Sequence, residues 1–568
     1  MTSFDERLNG LRWRLQAMKR LWSATAAPDM VFLPPQPPEG GAVGQIDHPE
    51  AGGEIGGGTL LVSGWMTFDS GATSRVEVWL GERSLGRARL GLPRTDVAEN
   101  SEMAHAGVSG FELSIDPSPP LEPGPVQLRA VATAVDDRGY ELGPIPVTVV
   151  DPTTDEAAKP SSPPAPVPLP SGESQGRRTL VITHQLNLGG AQLYLMDLLR
   201  GLVKRGGFEL TVISTMDGLL REELEDMGIP VHITSVSQQD DLSSHLGRVE
   251  ELASWMGPRE FELALVNTAT ALVSPPAEVA ARLGIPTVWA IHESFEPEIL
   301  WAHLDPEVRA HAEATLSAAA FAVFEAEATQ RIFEPLLGDR CRMLPYGLDM
   351  TPIEAKREGF DAAAARQKAG LPADARVIVC VGTVEPRKAQ IPLAQAFEQI
   401  AGNHPDAHLA FVGGRQGDPY SQALEACIAA SPRGEQMSLI PITPDVDSWY
   451  AMADLLVCAS DIESLPRTVL EAMAWETPVL ATSVFGLPEL ISDGETGWLC
   501  EPRDVSALAA GLDRALRSPA DQQKRVAAAS RQLVERRHSL DNYANEVAAL
   551  LERAAVDRTS GDSDVAAG

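Results

Sequence analysis

Glu463 and Glu471 stand eight residues apart in the run DIESLPRTVLEAMAW, residues 461–475. The apolar run Leu455–Val457 predicts a strand ahead of Glu463, and Pro466 predicts the start of a helix that carries Glu471. A loop carboxylate followed by a helical one suits a polyhydroxyl ligand, because an ionised carboxylate accepts hydrogen bonds from vicinal hydroxyls. The Ser464–Leu465 amides, at a helix start, suit a phosphate. A sugar nucleotide has both parts. A plain turn before a helix with one buried glutamate would show the same residues, so spacing alone leaves both readings open.

Other residue types point the same way, each with an ordinary alternative. Arg387 and Lys388 follow a strand-like run and Pro386. Two adjacent cations can neutralise a departing diphosphate, or form a solvated surface pair. Gly189-Gly190 precedes a helical run, so its amides can face a ligand with no Cβ between, or simply turn the chain. His292 closes the run TVWAI, where an isolated histidine is commonly a satisfied structural residue. His184 and Asn187, just before the glycine pair, suit acceptor contact or ordinary loop bonding. No HExxH occurs and no DxD triplet follows a strand, so no metal ligand set is predicted.

Taken in order, a longer pattern emerges. It runs through Gly189-Gly190-Ala191, Ile291-His292-Glu293, Pro345-Tyr346-Gly347-Leu348-Asp349, Val381-Gly382-Thr383 and Gly413-Gly414. It continues through Glu463, Glu471-Ala472-Met473-Ala474, Thr477-Pro478-Val479, Gly486-Leu487-Pro488-Glu489 and Asp493-Gly494 with Gly497. In this order and spacing the chain resembles the retaining glycosyltransferase family 4, of GT-B architecture. The resemblance implies that Glu471 binds the donor ribose, while Glu463 faces the donor hexose or orders its loop. It implies that Ser464, Leu465 and Pro466 present backbone near phosphate, with Gly189, Gly190, Gly382 and Thr383 also at the donor. Lys388 and Arg387 would then meet the leaving diphosphate, and His292 the transferred sugar. A same-face reaction is implied, metal-independent and without a cofactor, in which the leaving phosphate takes the acceptor proton. Two positions depart from the family: Thr383 stands where Arg is frequent, and Tyr346 where Asn is frequent.

These residues need a scaffold, and the rest of the chain supplies one. The expected fold class is multidomain: two Rossmann-like α/β domains of GT-B type facing a cleft, preceded by a small all-β sandwich. Residues 1–22 read as a basic amphipathic helix, with Leu8, Leu11, Leu15, Met18 and Trp22 on one face. Residues 23–58 read as a Pro/Gly tether. Residues 59–150 read as the sandwich, with strands Leu60–Trp65, Arg75–Leu80, Ser84–Leu90, Gly110–Ile115, Val126–Val135 and Ile145–Val150. Arg94-Thr95-Asp96-Val97 and Ser109-Gly110-Phe111 give this part a resemblance to immunoglobulin-like modules of some bacterial glycan-building enzymes. A Pro-rich linker follows at 151–178, then an acceptor-side α/β domain at 179–349 and a donor-side one at 350–530. The resemblance implies that a helix over 531–556 returns to the first α/β domain. The tail 557–568 is small and polar and is expected to fray.

Bulk properties set the outer limits. The 568 residues carry 79 acids against 46 bases, a net charge of −33, which argues against nucleic acid as the main partner. The five cysteines form no CxxC pair and suggest reduced thiols of a cytoplasmic protein. No apolar stretch is long enough to span a bilayer. Residues 7–22 are a candidate for peripheral contact with an anionic membrane, with packing on the body or on a second subunit as the alternative. The expected partners are a UDP- or GDP-linked sugar and a glycan or lipid-linked acceptor. A synthase or phosphorylase of the same fold, or a non-catalytic glycan-binding scaffold, are the competing readings.

Overall fold

The computed structural model describes residues 42–56, 60–69, 71–94, 97, 105–115, 121, 123–150, 176–237 and 241–565. The predicted helix at 1–22, the tether over 23–41 and the linker over 151–175 lie outside them. The first body is a β-sandwich. Its strands are β1 (Ala42–His48), β2 (Glu54–Gly56), β3 (Leu60–Phe68), β4 (Thr73–Leu80), β5 (Arg83–Arg87), β6 (Arg89–Leu92), β7 (Gly110–Ile115), β8 (Gly124–Ala134) and β9 (Gly139–Val150). One sheet has the order β1-β3-β7-β6 and the other β2-β9-β8-β4-β5, with antiparallel pairing throughout except β2 against β9. Alternation along β4 puts Val76, Val78 and Leu80 into the core and Arg75 outside.

Two expectations for this body need correction. Residues 42–56 are not tether: β1 pairs with β3 and β2 with β9, so the Pro/Gly signal ends by Gly41. The run Ser84–Leu90 is not one strand. The chain leaves β5 at Arg87, passes the fully buried Ala88, and joins the other sheet as β6. A composition window cannot see a strand change sheets, because both halves keep the same residue types.

The remaining chain forms two α/β domains. The first contains β10 (Arg177–Thr183), β11 (Phe208–Ser214), β12 (Val231–Ile233), β13 (Leu263–Asn267), β14 (Thr287–Ile291), β15 (Phe321–Phe324) and β16 (Cys341–Met343). The second contains β17 (Arg376–Val381), β18 (Ala407–Gly414), β19 (Met437–Pro441), β20 (Leu455–Cys458), β21 (Val479–Thr482) and β22 (Trp498–Cys500). Both sheets are parallel, in the orders β12-β11-β10-β13-β14-β15-β16 and β19-β18-β17-β20-β21-β22. Helices cover both faces, so β13, β14, β20 and β21 are buried along their whole length and read as unbroken apolar runs. In each sheet the strand order reverses beside the first strand, at β10/β13 and β17/β20. The crevice at such a reversal, beyond the strand C-termini, is where ligands bind in open α/β sheets.

The C-terminal boundaries also shift. Helix Ala520–Arg537 stays with the second domain, where Arg531 donates to the Ala474 carbonyl at 2.6 Å. The crossing back comes at His538–Ser539 rather than at 531, beside the outward crossing at Tyr346–Leu348. Gly347 permits this, since a Cβ there would lie 2.6 Å from the Leu540 Cα. Helix Leu540–Val565 then packs on helix Gly190–Arg205, with Ala544 against Gly201. Over residues 557–565, where fraying is expected, the backbone continues as helix through Val565.

Candidate active site

The loop after β20 carries Glu463, and the helix Arg467–Ala474 that follows carries Glu471. The loop after β17 carries Gly382 and Thr383, then a 3-10 turn Pro386–Lys388. Both loops leave the reversal point of the second sheet, which brings Lys388 and Arg387 to Glu463. The carboxylate Oε2 accepts from Lys388 Nζ at 2.8 Å, Arg387 Nη1 at 3.2 Å and Ser460 Oγ at 3.1 Å. Burial pushes the Glu463 carboxyl up, but Lys388 and Arg387 together pull it down to about 2. Burial alone would lower Arg387; Glu463 and Glu385 outweigh it and hold the guanidinium firmly charged.

Gly382 has φ +138°, a left-handed conformation that favours glycine, and lies beside the aliphatic stem of Lys388. The Thr383 carbonyl accepts from Gln390 Nε2 at 3.0 Å, so this position braces the turn through its backbone.

The facing wall comes from the first domain. Gly190 opens the helix after β10, and a Cβ there would meet nothing within 4 Å. Gly189 is in extended backbone, with only the flexible Gln192 side chain near. His292 follows β14 and holds two acceptors: Nδ1 lies 2.7 Å from Glu325 Oε1, and Nε2 lies 2.9 Å from Asn267 Oδ1. Asn267 is oriented by its Nδ2 donating to the Ala191 carbonyl at 3.1 Å. An imidazole between two acceptors is satisfied as a double donor. Burial disfavours that charge, yet Glu325 more than offsets it and the His292 pKa is raised. Glu293 lines the same cleft, its carboxylate accepting from the Ala269 and His292 amides, and burial raises its pKa.

These walls enclose a cavity of about 260 Å³ lined by Gly190, His292, Arg387, Glu463, Ser464, Leu465 and Pro466, among others. Lys388 reaches it through Glu463. Gly189, Gly382, Thr383 and Glu471 do not line it. Glu471 lies behind Arg467, whose Nε donates to it at 2.6 Å, while Tyr450 donates at 2.8 Å from the other side. Arg467 also bonds Asp197 and the Tyr346 hydroxyl, so one guanidinium ties the two α/β domains together at the cleft. A larger cavity of about 360 Å³ lies at the crossover near Lys204 and Asp541 and contains none of the predicted site residues.

Sequence reasoning missed several members of this site. Arg467 precedes Glu471 by one helical turn, a spacing that by itself favours the pair. Glu325 follows an apolar strand just as His292 does, and Tyr194 lies one turn after Gly190. Tyr194 packs edge-on to His292 with centroids 4.1 Å apart and stacks on Tyr346 at 5.0 Å. His184 is taken up locally, near Gln192 and Thr268, and Asn187 is exposed. The prediction of no metal ligand set also meets a surprise. Among the described residues, His245, Glu278 and His311 converge away from the cleft, from three helices of the first α/β domain. Their carboxylate already accepts from both histidines and from Arg282.

Comparison with known proteins covers the α/β body. The model described as Glycosyltransferase Family 4 matches residues 188–351, and the one described as Glycosyl transferases group 1 matches residues 361–533. A D-inositol 3-phosphate glycosyltransferase of Thermobispora bispora is 35% identical over 165 residues, 28% of this chain and 39% of that protein. A protein of the same name from Streptomyces avermitilis is 30% identical over 300 residues, 48% of this chain and 60% of that protein. A GDP-mannose-dependent alpha-(1-6)-phosphatidylinositol monomannoside mannosyltransferase of Mycolicibacterium smegmatis is 26% identical, spanning 51% of this chain and 84% of that one. Among the first of these relatives the match spans less than half of their own length. The structure of Anabaena Alr3699/HepE in complex with UDP and glucose superposes with a TM-score of 0.57 at 21% identity, covering 66% of this chain and 100% of that one. Sucrose-phosphate synthase from Thermosynechococcus elongatus gives 0.54 at 19%, covering 66% and 98%. At these identities the likeness is one of fold.

Proposed function

The α/β body of this chain belongs to glycosyltransferase family 4 and has the GT-B fold, and on that premise we propose that the protein is a retaining hexosyltransferase. It moves a hexose from a UDP- or GDP-linked donor to a glycan or lipid-linked acceptor. One observation carries the reading: the reversal-point loops of both sheets meet at one cavity, with Arg387, Lys388 and Glu463 opposite Gly190 and His292.

The donor diphosphate lies against Lys388, Arg387 and the backbone of Ser464–Pro466. As the bond between the sugar C1 and the phosphate oxygen breaks, these groups stabilise the charge gathering on the leaving diphosphate. The acceptor oxygen bonds to C1 on the same face, and its proton passes to the departing phosphate oxygen. His292 meets a hydroxyl of the transferred sugar through its backbone, both ring nitrogens being held by Glu325 and Asn267. Glu463 holds both cations in place before the donor arrives. Each Glu471 oxygen accepts one bond, from Arg467 or Tyr450, which leaves acceptor capacity for ribose hydroxyls that reach past Arg467 at the cavity wall. Acceptors approach from the first α/β domain. The reaction takes place at the cytoplasmic membrane face, with residues 7–22 as a peripheral anchor. Among the described residues no helix is long and apolar enough to cross a membrane.

Calorimetry against UDP-, GDP-, ADP- and TDP-sugars tests the reading. One nucleotide class should bind, and Glu471→Ala should weaken it by about tenfold to a hundredfold with the fold retained, the scale of hydrogen bonds to a charged group. Unchanged affinity in that variant rejects the role of Glu471. A folded protein that binds no donor favours a glycan-binding scaffold instead. Retention is checked by NMR of the product, whose new linkage should keep the donor's anomeric configuration.

A further inference from the structure

The β-sandwich is docked on the second α/β domain. Its core is continuous with that domain's core, from Leu90, Val108 and Phe111 to Ile391, Phe397, Leu508 and Leu512. Gly91, with φ +74°, lets Pro392 approach to where a Cβ would lie 2.8 Å away. Around this apolar contact, Ser74 Oγ lies 2.7 Å from Ser506 Oγ, and Arg503 donates to the Arg87 carbonyl at 2.8 Å.

One strand of the sandwich does more than dock. β6 packs against the Pro386–Lys388 turn, and its Arg89 reaches Asp461, with Nε 3.7 Å from Oδ2. Asp461 opens the loop that carries Glu463 two residues later, and its amide donates to the Arg387 carbonyl at 2.8 Å. Its side chain is 2% exposed, and its Oδ2 has no hydrogen-bond partner. Facing it are Arg89 from the sandwich and Arg503, with Tyr420 nearby; Glu112 on β7 faces Arg89 in turn, at 3.8 Å. A buried carboxylate that loses a balancing cation becomes strongly unfavourable, so the conformation of its loop depends on where those cations stand.

We propose that Arg89 is a positioning residue for the donor site: through Asp461 and the Pro386–Lys388 turn, the sandwich sets the loop that joins Glu463 to Arg387 and Lys388. The sandwich is thereby an integral wall of the catalytic domain and not a tethered accessory module. The proposal rests on the donor reading of those residues for its functional consequence, but its mechanical part stands apart from that reading.

The test uses the full chain with Arg89→Met, Arg89→Lys and Ser74→Ala, the last weakening the same interface at Asp504 and Ser506 without touching Asp461. Hydrogen exchange of the amides of residues 460–465 and calorimetric affinity for UDP-glucose and GDP-mannose are both read. Arg89→Met should speed loop exchange and weaken the bound nucleotide sugar by about tenfold, a magnitude usual for coupling through a packed network. Arg89→Lys should restore most of both, and Ser74→Ala should match the wild type in both. Should Arg89→Met not fold, adding Asp461→Asn removes the charge that needs Arg89 and should recover a folded chain. Loop exchange unchanged by Arg89→Met, or equally raised by Ser74→Ala, overturns the proposal. Failure of the wild type to bind either sugar, with loop exchange still answering to Arg89, rejects the donor reading and upholds the positioning.

Discussion

Glu463, its side chain 13% exposed, is a half-buried carboxylate held charged by two cations, and that pairing has a measurable pH signature. Its carboxyl sits at about 2 in the folded protein against an ordinary 4.5. Folding therefore favours the ionised form. The resulting stability is complete above pH 4.5 and is lost as pH falls from there toward 2. Glu463→Gln should lower stability by about 3 kcal/mol at neutral pH, the linkage equivalent of that shift. In urea unfolding at a series of pH values, the gap to the wild type should narrow below about pH 4.5. A gap that stays constant down to pH 3 would mean that the pair contributes nothing through ionisation. Much of this residue-scale detail was legible in advance, since Glu463, Lys388 and Arg387 stood out by type and place. Their mutual contact was not, because 75 residues separate Lys388 from Glu463 and nothing local records which loops meet.

At the scale of elements, two glycines at strand and helix ends do different work, and alanine separates them. Gly382→Ala forces a methyl onto backbone at φ +138° and should reduce stability by about 1–3 kcal/mol. Gly190 begins a helix, and its missing Cβ faces open space. Gly190→Ala should therefore leave thermal stability the same or slightly higher while weakening donor binding, because the methyl enters the cavity. Equal losses of stability in the two variants would contradict this division. The strand ahead of Glu463 followed from an unbroken apolar run, expected at Leu455–Val457 and observed at Leu455–Cys458. Short edge strands such as Val231–Ile233 and Trp498–Cys500 escaped, having too few residues to make a pattern.

For the whole molecule, the α/β domains close on each other through named contacts. Arg467 bonds Asp197, Ser464 Oγ lies 3.0 Å from Thr329 Oγ1, and Glu489 accepts from the first two amides of helix Glu327–Leu337, both at 2.8 Å. The sandwich extends this assembly. Removing everything before residue 176 should expose the apolar face around Ile391 and Leu508, lower the melting temperature and promote aggregation, as large uncovered apolar patches do. Light scattering and a thermal melt would check this. A monomeric truncated body with an unchanged melting temperature would make the sandwich a mere attachment.

Local residue patterns are enough to set the order of the three bodies, the parallel α/β character of the last two, and the residue types gathered at their strand ends. Those features are written locally, in apolar runs, glycine turns and charged residues next to them. It took the packing of the bodies to place Arg467 between the cavity and Glu471, to hold His292 by Glu325 and Asn267, and to bring Arg89 of the sandwich to the loop that carries Glu463. The His292 and Arg89 contacts join segments distant in the chain, and Arg467 is held at the cleft by Asp197 and Tyr346; such contacts exist only once the burial of whole faces has fixed how the bodies pack.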